Sequence, residues 1–195
     1  MEKEILAGIG VVLSLIGYGA YIYSIYRGET RPHPFSWFIW GLLTAIGFFA
    51  QIADNAGPGA WITGVSALVT FFIAAIGYLK RADIVITRTD WITFLAAIAA
   101  IPLWLLTETP LYSVILITTI DSIAFYPTFH KSWYQPNQEL VFEYILAALK
   151  YSLSIFALSN YSIITTLYPL SLVVMNILFI GMVYYRRKSL KHVTE

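Results

Sequence analysis

Apolar residues run through this chain in seven long stretches, at roughly 5–26, 35–53, 59–79, 91–106, 110–130, 140–158 and 162–185. The stretches are 16 to 24 residues long. A helix needs about 20 residues to cross about 30 Å of hydrocarbon. The pattern therefore predicts an all-α integral membrane protein with seven transmembrane helices. The fourth stretch is the shortest of them.

Lys and Arg order these stretches. The N-terminus and the connections near Asp54, Glu108 and Asn160 hold Lys3 alone. The other connections and the C-terminal end hold Arg27, Arg31, Lys80, Arg81, Arg88, Lys131, Arg186, Arg187, Lys188 and Lys191. Lys150 stands apart, inside a stretch. Short cytoplasmic loops carry the excess of Lys and Arg, so the pattern predicts an outside N-terminus and a cytoplasmic C-terminus in a plasma (inner) membrane. An odd number of spans agrees with that. The opening Met1-Glu2-Lys3-Glu4 lacks the basic start of a secretory signal and leads straight into the first stretch, which is expected to be a retained helix.

Composition narrows the function classes. The chain of 195 residues is 58% hydrophobic and 12% charged, about half the charged share of a soluble domain. A net charge of +1 supplies no basic surface for phosphates, so nucleic acid is not an expected partner. There is no cysteine, which removes disulfides, thiolate catalysis and Cys-based metal sites. His33, His130 and His192 are too scattered for a metal site. No Gly-rich phosphate cradle and no Ser/His/Asp arrangement with supporting context is visible. The expectation is therefore no cofactor and no enzyme. The expected partners are a lipid bilayer and a small-molecule solute, with a proton as coupling ion and a homo-oligomer both open.

Seven spans divide as three, one and three. Two three-helix units separated by one spanning helix share an orientation, which makes a parallel repeat about an axis along the membrane normal. The expected organisation is a first three-helix bundle at 1–82, a linker helix at 83–109, and a second three-helix bundle with a short cytoplasmic tail at 110–195. A displacement of 104 positions pairs Arg27 with Lys131, Pro32 with Pro136, Phe38 with Phe142, Leu68 with Leu172, Val69 with Val173 and Gly77 with Gly181. The match is thin, so the repeat rests on architecture first and on residues second. The halves differ in composition: eleven of the twelve glycines precede residue 80. Small residues let helices approach closely in lipid, so the first bundle is expected to be the tighter body. The second holds the intramembrane charges.

Near the inner end of the fifth stretch the chain reads Ile123-Ala124-Phe125-Tyr126-Pro127-Thr128-Phe129-His130-Lys131-Ser132-Trp133. An apolar helix, a Tyr-Pro pair, a basic residue and a polar turn resemble the PQ-loop signature of SWEET-type sugar transporters and lysosomal amino-acid transporters. With the three-one-three division, the similarity of architecture covers nearly the whole chain. Thr128 stands where that family usually has Gln. The equivalent Tyr21-Ile22-Tyr23-Ser24 has no proline, so the chain resembles a divergent member. SWEET-like proteins place an asparagine midway along the third helix of each unit, facing the sugar. Asn176 is such a residue, and its counterpart by the 104 offset is Phe72. Tryptophans from the second helix line that family's pocket; here Trp37 and Trp40 stand near the cytoplasmic start of the second stretch. The Trp37-Phe38-Ile39-Trp40 spacing is also similar to the Trp-x-x-Trp motif of Pnu-type nicotinamide riboside transporters, which share the three-one-three division.

Asp121 falls near the middle of the fifth stretch and Lys150 near the middle of the sixth. Charges at that depth are costly unless paired or hydrated. Joined by a short loop, the two helices are expected to be antiparallel neighbours that bring these residues into an ion pair. That pair would either fix packing or form a proton relay or solute contact in a hydrated cavity. Glu143 lies two turns before Lys150 on one helical face, and Glu139 a turn further toward the cytoplasm, so a stripe of Glu139, Glu143 and Lys150 is expected to line an inner vestibule. Otherwise Glu139 caps the helix and Glu143 reaches interfacial water. Pro127 and Pro169 interrupt backbone hydrogen bonding inside the fifth and seventh helices. Pro102 is expected to be structural, and Trp61, Trp91, Trp104 and Trp133 to form an aromatic belt.

These residues point to a small-solute transporter working by alternating access. Asn176, Asp121, Lys150 and Trp40 would bind substrate, Glu143 would line the vestibule, and Tyr126, Pro127 and Pro169 would serve as gate or hinge. Two other classes compete. One is a chromophore-binding or receptor-like seven-helix protein using Lys150 as a Schiff-base lysine, although rhodopsins carry that lysine on the seventh helix. The other is a structural subunit whose buried charges only specify packing. A water-accessible cavity reaching Asp121 and Asn176 separates the transporter from the subunit.

Overall fold

Prolines, glycines and capping side chains divide the apolar stretches into separate helices. The computed structural model of the chain describes residues 1–29, 32–80, 86–138 and 141–191, and every element among them is helical. The first three stretches form α1 (Glu2–Tyr26), α2 (Pro34–Ala53) and α3 (Ala60–Leu79). The fourth forms α4 (Arg88–Thr107). The fifth is broken at Phe125 into α5 (Leu111–Ala124) and α6 (Tyr126–Tyr134). The last two form α7 (Val141–Phe156) and α8 (Ile163–Lys191).

Local chemistry sets several of these boundaries. Pro34 occupies the first turn of α2, where its missing N–H costs nothing, and the Ser36 N–H donates to His33 Nδ1 at 3.3 Å. Thr87 and Asp90 form a reciprocal capping box at the start of α4, satisfying two donors that would otherwise be orphaned. The cap extends α4 to 20 residues, so the fourth segment is not the short one. That is α7, whose 16 residues reach about 24 Å at 1.5 Å per residue. Its C-terminal end stops because the following backbone pairs elsewhere. Gly59 N–H donates to Ala157 O at 3.1 Å, and Ser159 N–H to Ala56 O at 2.7 Å. Among the described residues, six helical paths are long and apolar enough to cross a membrane, α5 and α6 together making one of them. α7 falls short of the predicted seventh.

The packing follows one rule in both halves. α3 packs against both α1 and α2, and α8 packs against both α5 and α7. Between the halves, α1 meets α7, α2 meets α5, α3 meets α7 and α2 meets α8. Exchanging α1, α2 and α3 for α5, α7 and α8 carries each of these contacts onto another. α4 rests on α2 and α5. A cluster of Leu43, Ile46, Ala97, Ala100, Val114, Ile117 and Leu172 joins α2, α4, α5 and α8.

Glycine packing is more selective than its distribution along the chain suggests. A methyl group on Gly41 would sit 2.8 Å from the Phe71 ring, and one on Gly64 would sit 2.8 Å from the Phe48 ring. These two reciprocal contacts bring α2 and α3 together. Gly8 and Gly19 meet nothing within 4 Å, so they contribute no close approach. Outside the bundle, large apolar side chains such as Ile16, Phe49, Leu68, Leu105, Phe156 and Ile177 are exposed. An apolar exterior of this extent suggests a helical membrane protein.

Candidate functional site

The halves enclose a cavity of about 280 Å³. Tyr18 and Gly17 of α1, Trp37, Trp40 and Thr44 of α2, Asp121 and Phe125 at the end of α5, Glu143, Tyr144, Lys150 and Tyr151 of α7, and Tyr168 and Asn176 of α8 all line it. The expected site residues Asn176, Asp121, Lys150, Trp40 and Glu143 are thus brought together from four helices. Tyr126 is not among the lining residues and is exposed. Pro169 is also outside the lining, and the Pro127 side chain lies outside the described residues. Glu139 lies outside the described residues.

Lys150 corrects one expectation. It makes no ion pair with Asp121. Its ammonium donates to the Tyr18 hydroxyl at 3.1 Å and to Ser66 Oγ at 3.1 Å. It also lies 4.2 Å from the centroid of the Tyr18 ring and 4.8 Å from that of Tyr151. Hydroxyl oxygens and aromatic faces stabilise a cation without a counter-charge. The physical reason is packing order. α5 packs on α8 while α7 turns its Lys150 face toward α1 and α3. Sequence neighbours joined by a short connection are not the neighbours that pair here.

Asp121 is left in an unusual position. It is 7% exposed, and among the described residues its carboxylate has no hydrogen bond or ion pair. It faces the cavity. Asn176, 3% exposed, uses its Nδ2 to bond Leu172 O at 2.7 Å within α8, which fixes the side chain at the cavity wall. Glu143 packs over Gly17, where a methyl group would lie 3.4 Å from Glu143 Oε2.

Aromatic rings supply much of the remaining wall. Trp37 and Trp40 meet edge to face with centroids 5.5 Å apart, and Tyr21 packs on Trp37 at 4.8 Å. The Tyr168 hydroxyl and Thr44 Oγ1 are 3.2 Å apart, and Thr44 Oγ1 also donates to Trp40 O at 2.7 Å. Tyr18, Trp37, Tyr144, Tyr151 and Tyr168 escaped the sequence reading as site residues. One signal could have found two of the lining positions. The 104 offset carries Gly17 onto Asp121 and Trp40 onto Tyr144, and all four line the cavity.

Hydrogen bonds join the two halves at one end. At the end away from the Arg and Lys residues, the connection after α2 is bonded to the connection after α7. Asn160 Nδ2 donates to Asp54 O at 2.8 Å, the Ser162 hydroxyl donates to the Asp54 carboxylate, and Lys3 Nζ donates to Leu158 O at 2.7 Å. Gln51 Nε2 reaches Thr165 O at 3.0 Å. That last bond explains Pro169. With no N–H, Pro169 cannot bond the carbonyl four residues earlier, and that carbonyl belongs to Thr165. At the basic end, Lys80 bonds Ile25 O, Arg186 bonds Trp133 O and Arg187 bonds Pro136 O. Each of these stays within its own half. The cavity is lined by the first half of α2, the end of α5 and the first half of α7, so it lies toward this basic end. The break at Phe125, directly before Tyr126-Pro127, occurs at the cavity wall, where Phe125 and Thr128 line it.

No family model matches the chain, and neither does any curated protein or solved structure.

Proposed function

We propose that this chain is a multi-pass membrane transporter for a small solute, working by alternating access around the cavity between its two halves. The observation that carries the reading is the placement of polar groups. Among the described residues, a cavity holding a buried carboxylate with no hydrogen bond or ion pair lies between halves that inter-half hydrogen bonds join at the end away from the basic residues. A purely structural interior would be filled or internally satisfied, because unpaired buried charge is destabilising. The exchange relation among helix contacts supports two parallel units, 1–82 and 110–195, related about the membrane normal with α4 as linker. Rocking one unit against the other would open the bridged end and close the basic one.

In this reading the basic end faces the cytoplasm of a plasma (inner) membrane and the N-terminus lies outside. The structure then corresponds to a state closed outside. The hydrogen bonds around Asp54 and Thr165 form the outer closure, and the break at Phe125 with Tyr126-Pro127 forms the inner hinge. α7 spans in this reading, its short length accommodated by local bilayer thinning. Asn176 and the Tyr126-Pro127 motif support a distant SWEET or PQ-loop relationship. Trp37 and Trp40 facing the cavity support a Pnu-type relationship within the same transporter class. A proton can occupy Asp121 when solute does not, which keeps coupled transport within the proposal. No chemical conversion is proposed.

The test is a thermal-shift panel of sugars, amino acids and nucleosides on the purified chain, followed by uptake into proteoliposomes. A ligand that binds the folded state raises its melting temperature. The reading requires a stabilising solute that also enters proteoliposomes faster than protein-free vesicles. A stabilising solute with no uptake above that background overturns it.

A further inference from the structure

Resting on the transporter reading, we infer that the solute is a small organic cation, an amine or quaternary ammonium, bound with its charge at the Asp121 carboxylate and against the aromatic wall of the cavity. The inference follows from which charges remain open. Two carboxylates, Asp121 and Glu143, and one ammonium, Lys150, line the space. Lys150 is already held by two hydroxyls and two rings. Asp121 has no such support. A carboxylate in a largely buried cavity calls for a cation or a set of donors, and among the described residues none hydrogen-bonds or ion-pairs with it. Bound solute would therefore bring the missing positive charge.

The wall is suited to the rest of such a molecule. Trp40, Trp37, Tyr144 and Phe125 present ring surface to the same space as Asp121. Aromatic faces attract alkylammonium groups, most strongly where water is excluded. One Lys150 N–H remains after its two hydroxyl bonds and can meet a neutral acceptor on the solute. Among the described residues an anion finds no comparable partner, since the cation that lines the cavity, Lys150, is engaged and two carboxylates repel the anion. The volume of about 280 Å³ is many times the one-probe space a single water needs, about 10–15 Å³. That space suits a monocyclic metabolite or smaller.

The test measures binding to the purified full chain by calorimetry, with matched probes. Choline is set against its neutral isostere 3,3-dimethylbutan-1-ol, and phenethylamine against neutral 2-phenylethanol and zwitterionic phenylalanine. Each cation is expected to bind at least about ten-fold tighter than its neutral isostere, about 1.4 kcal/mol. That preference is expected to vanish in Asp121→Asn, whose melting temperature serves as the check of folding. If that variant does not fold, Asp121→Glu is expected to keep the preference and Trp40→Leu to weaken cation binding. Neutral or zwitterionic probes binding as tightly as the cations would overturn the inference. So would a cation preference that survives Asp121→Asn, or no binding of either cation. Flux separates this inference from the transporter reading. Cations that bind but do not cross proteoliposomes leave the site assignment standing and remove transport. Saturable flux of a neutral solute with no cation binding does the reverse.

Discussion

Gln51 and Pro169 lie on different helices, yet the structure makes their contributions to stability interdependent. Pro169 leaves the Thr165 carbonyl without its helical N–H donor, and Gln51 Nε2 supplies a replacement at 3.0 Å. Gln51 is 1% exposed, so no water substitutes if the amide is removed. In Gln51→Leu the carbonyl stays bare, which costs about 1–3 kcal/mol for a buried acceptor, with helix-to-helix bonds in lipid near the low end of that range. The same change removes Gln51 Oε1, a buried atom with no partner, and that gain offsets part of the loss. The single mutant is therefore a poor measure. The double-mutant cycle is a good one, because the Oε1 contribution cancels. In Pro169→Ala the helix restores an N–H to Thr165 O, so Gln51→Leu should be milder there by about 1–2 kcal/mol. Equilibrium unfolding of the four proteins in mixed micelles reads this directly. Additive effects within about 0.3 kcal/mol would refute the claim that Gln51 serves the carbonyl freed by the proline.

Gly41→Ala should destabilise the chain by about 1–3 kcal/mol through overpacking, since its methyl group meets Phe71 at 2.8 Å. Gly19→Ala, with nothing within 4 Å, should not lower the melting temperature, and equal losses in both would contradict the proposed α2–α3 contact. If transport is proton-coupled through Asp121, Asp121→Asn should flatten the pH dependence of uptake in proteoliposomes. A coupled profile identical to the parent's would remove Asp121 from that role. Asp54→Ala removes the acceptor of the Ser162 hydroxyl bond and one of the two Asn160 contacts. It should raise the reactivity of a cysteine placed at Thr44 toward an impermeant reagent added outside, and an unchanged rate would exclude Asp54 from the outer closure.

The helices were legible because lipid-length apolar runs admit little else. Their order around the cavity was not. Asp121, Lys150 and Asn176 stood out as polar groups in apolar surroundings, and all three line one space. Their pairing did not follow, because Asp121 and Lys150 stand on consecutive apolar stretches but α5 packs on α8, and Lys150 faces Tyr18 and Ser66 instead. The tyrosines and Trp37 were hidden by ambiguity. An aromatic residue with a polar tip suits an interfacial belt as well as a cavity wall, and only the fold distinguishes Tyr151 in the wall from exposed Tyr184. Pro169 was visible as a missing donor inside the last helix, but Gln51, which bonds the Thr165 carbonyl it frees, lies more than a hundred residues away in sequence, beyond any local pattern.

The central claim is that one cavity communicates with each side of the membrane in turn. The chain has no cysteine, so a single cysteine at Ala147, which lines the cavity, can be labelled without interference. The account predicts that an impermeant thiol reagent modifies Ala147→Cys from the cytoplasmic side and, more slowly, from the outside, and that a bound solute slows both reactions. Labelling from one side alone under every condition, or from neither, would contradict it.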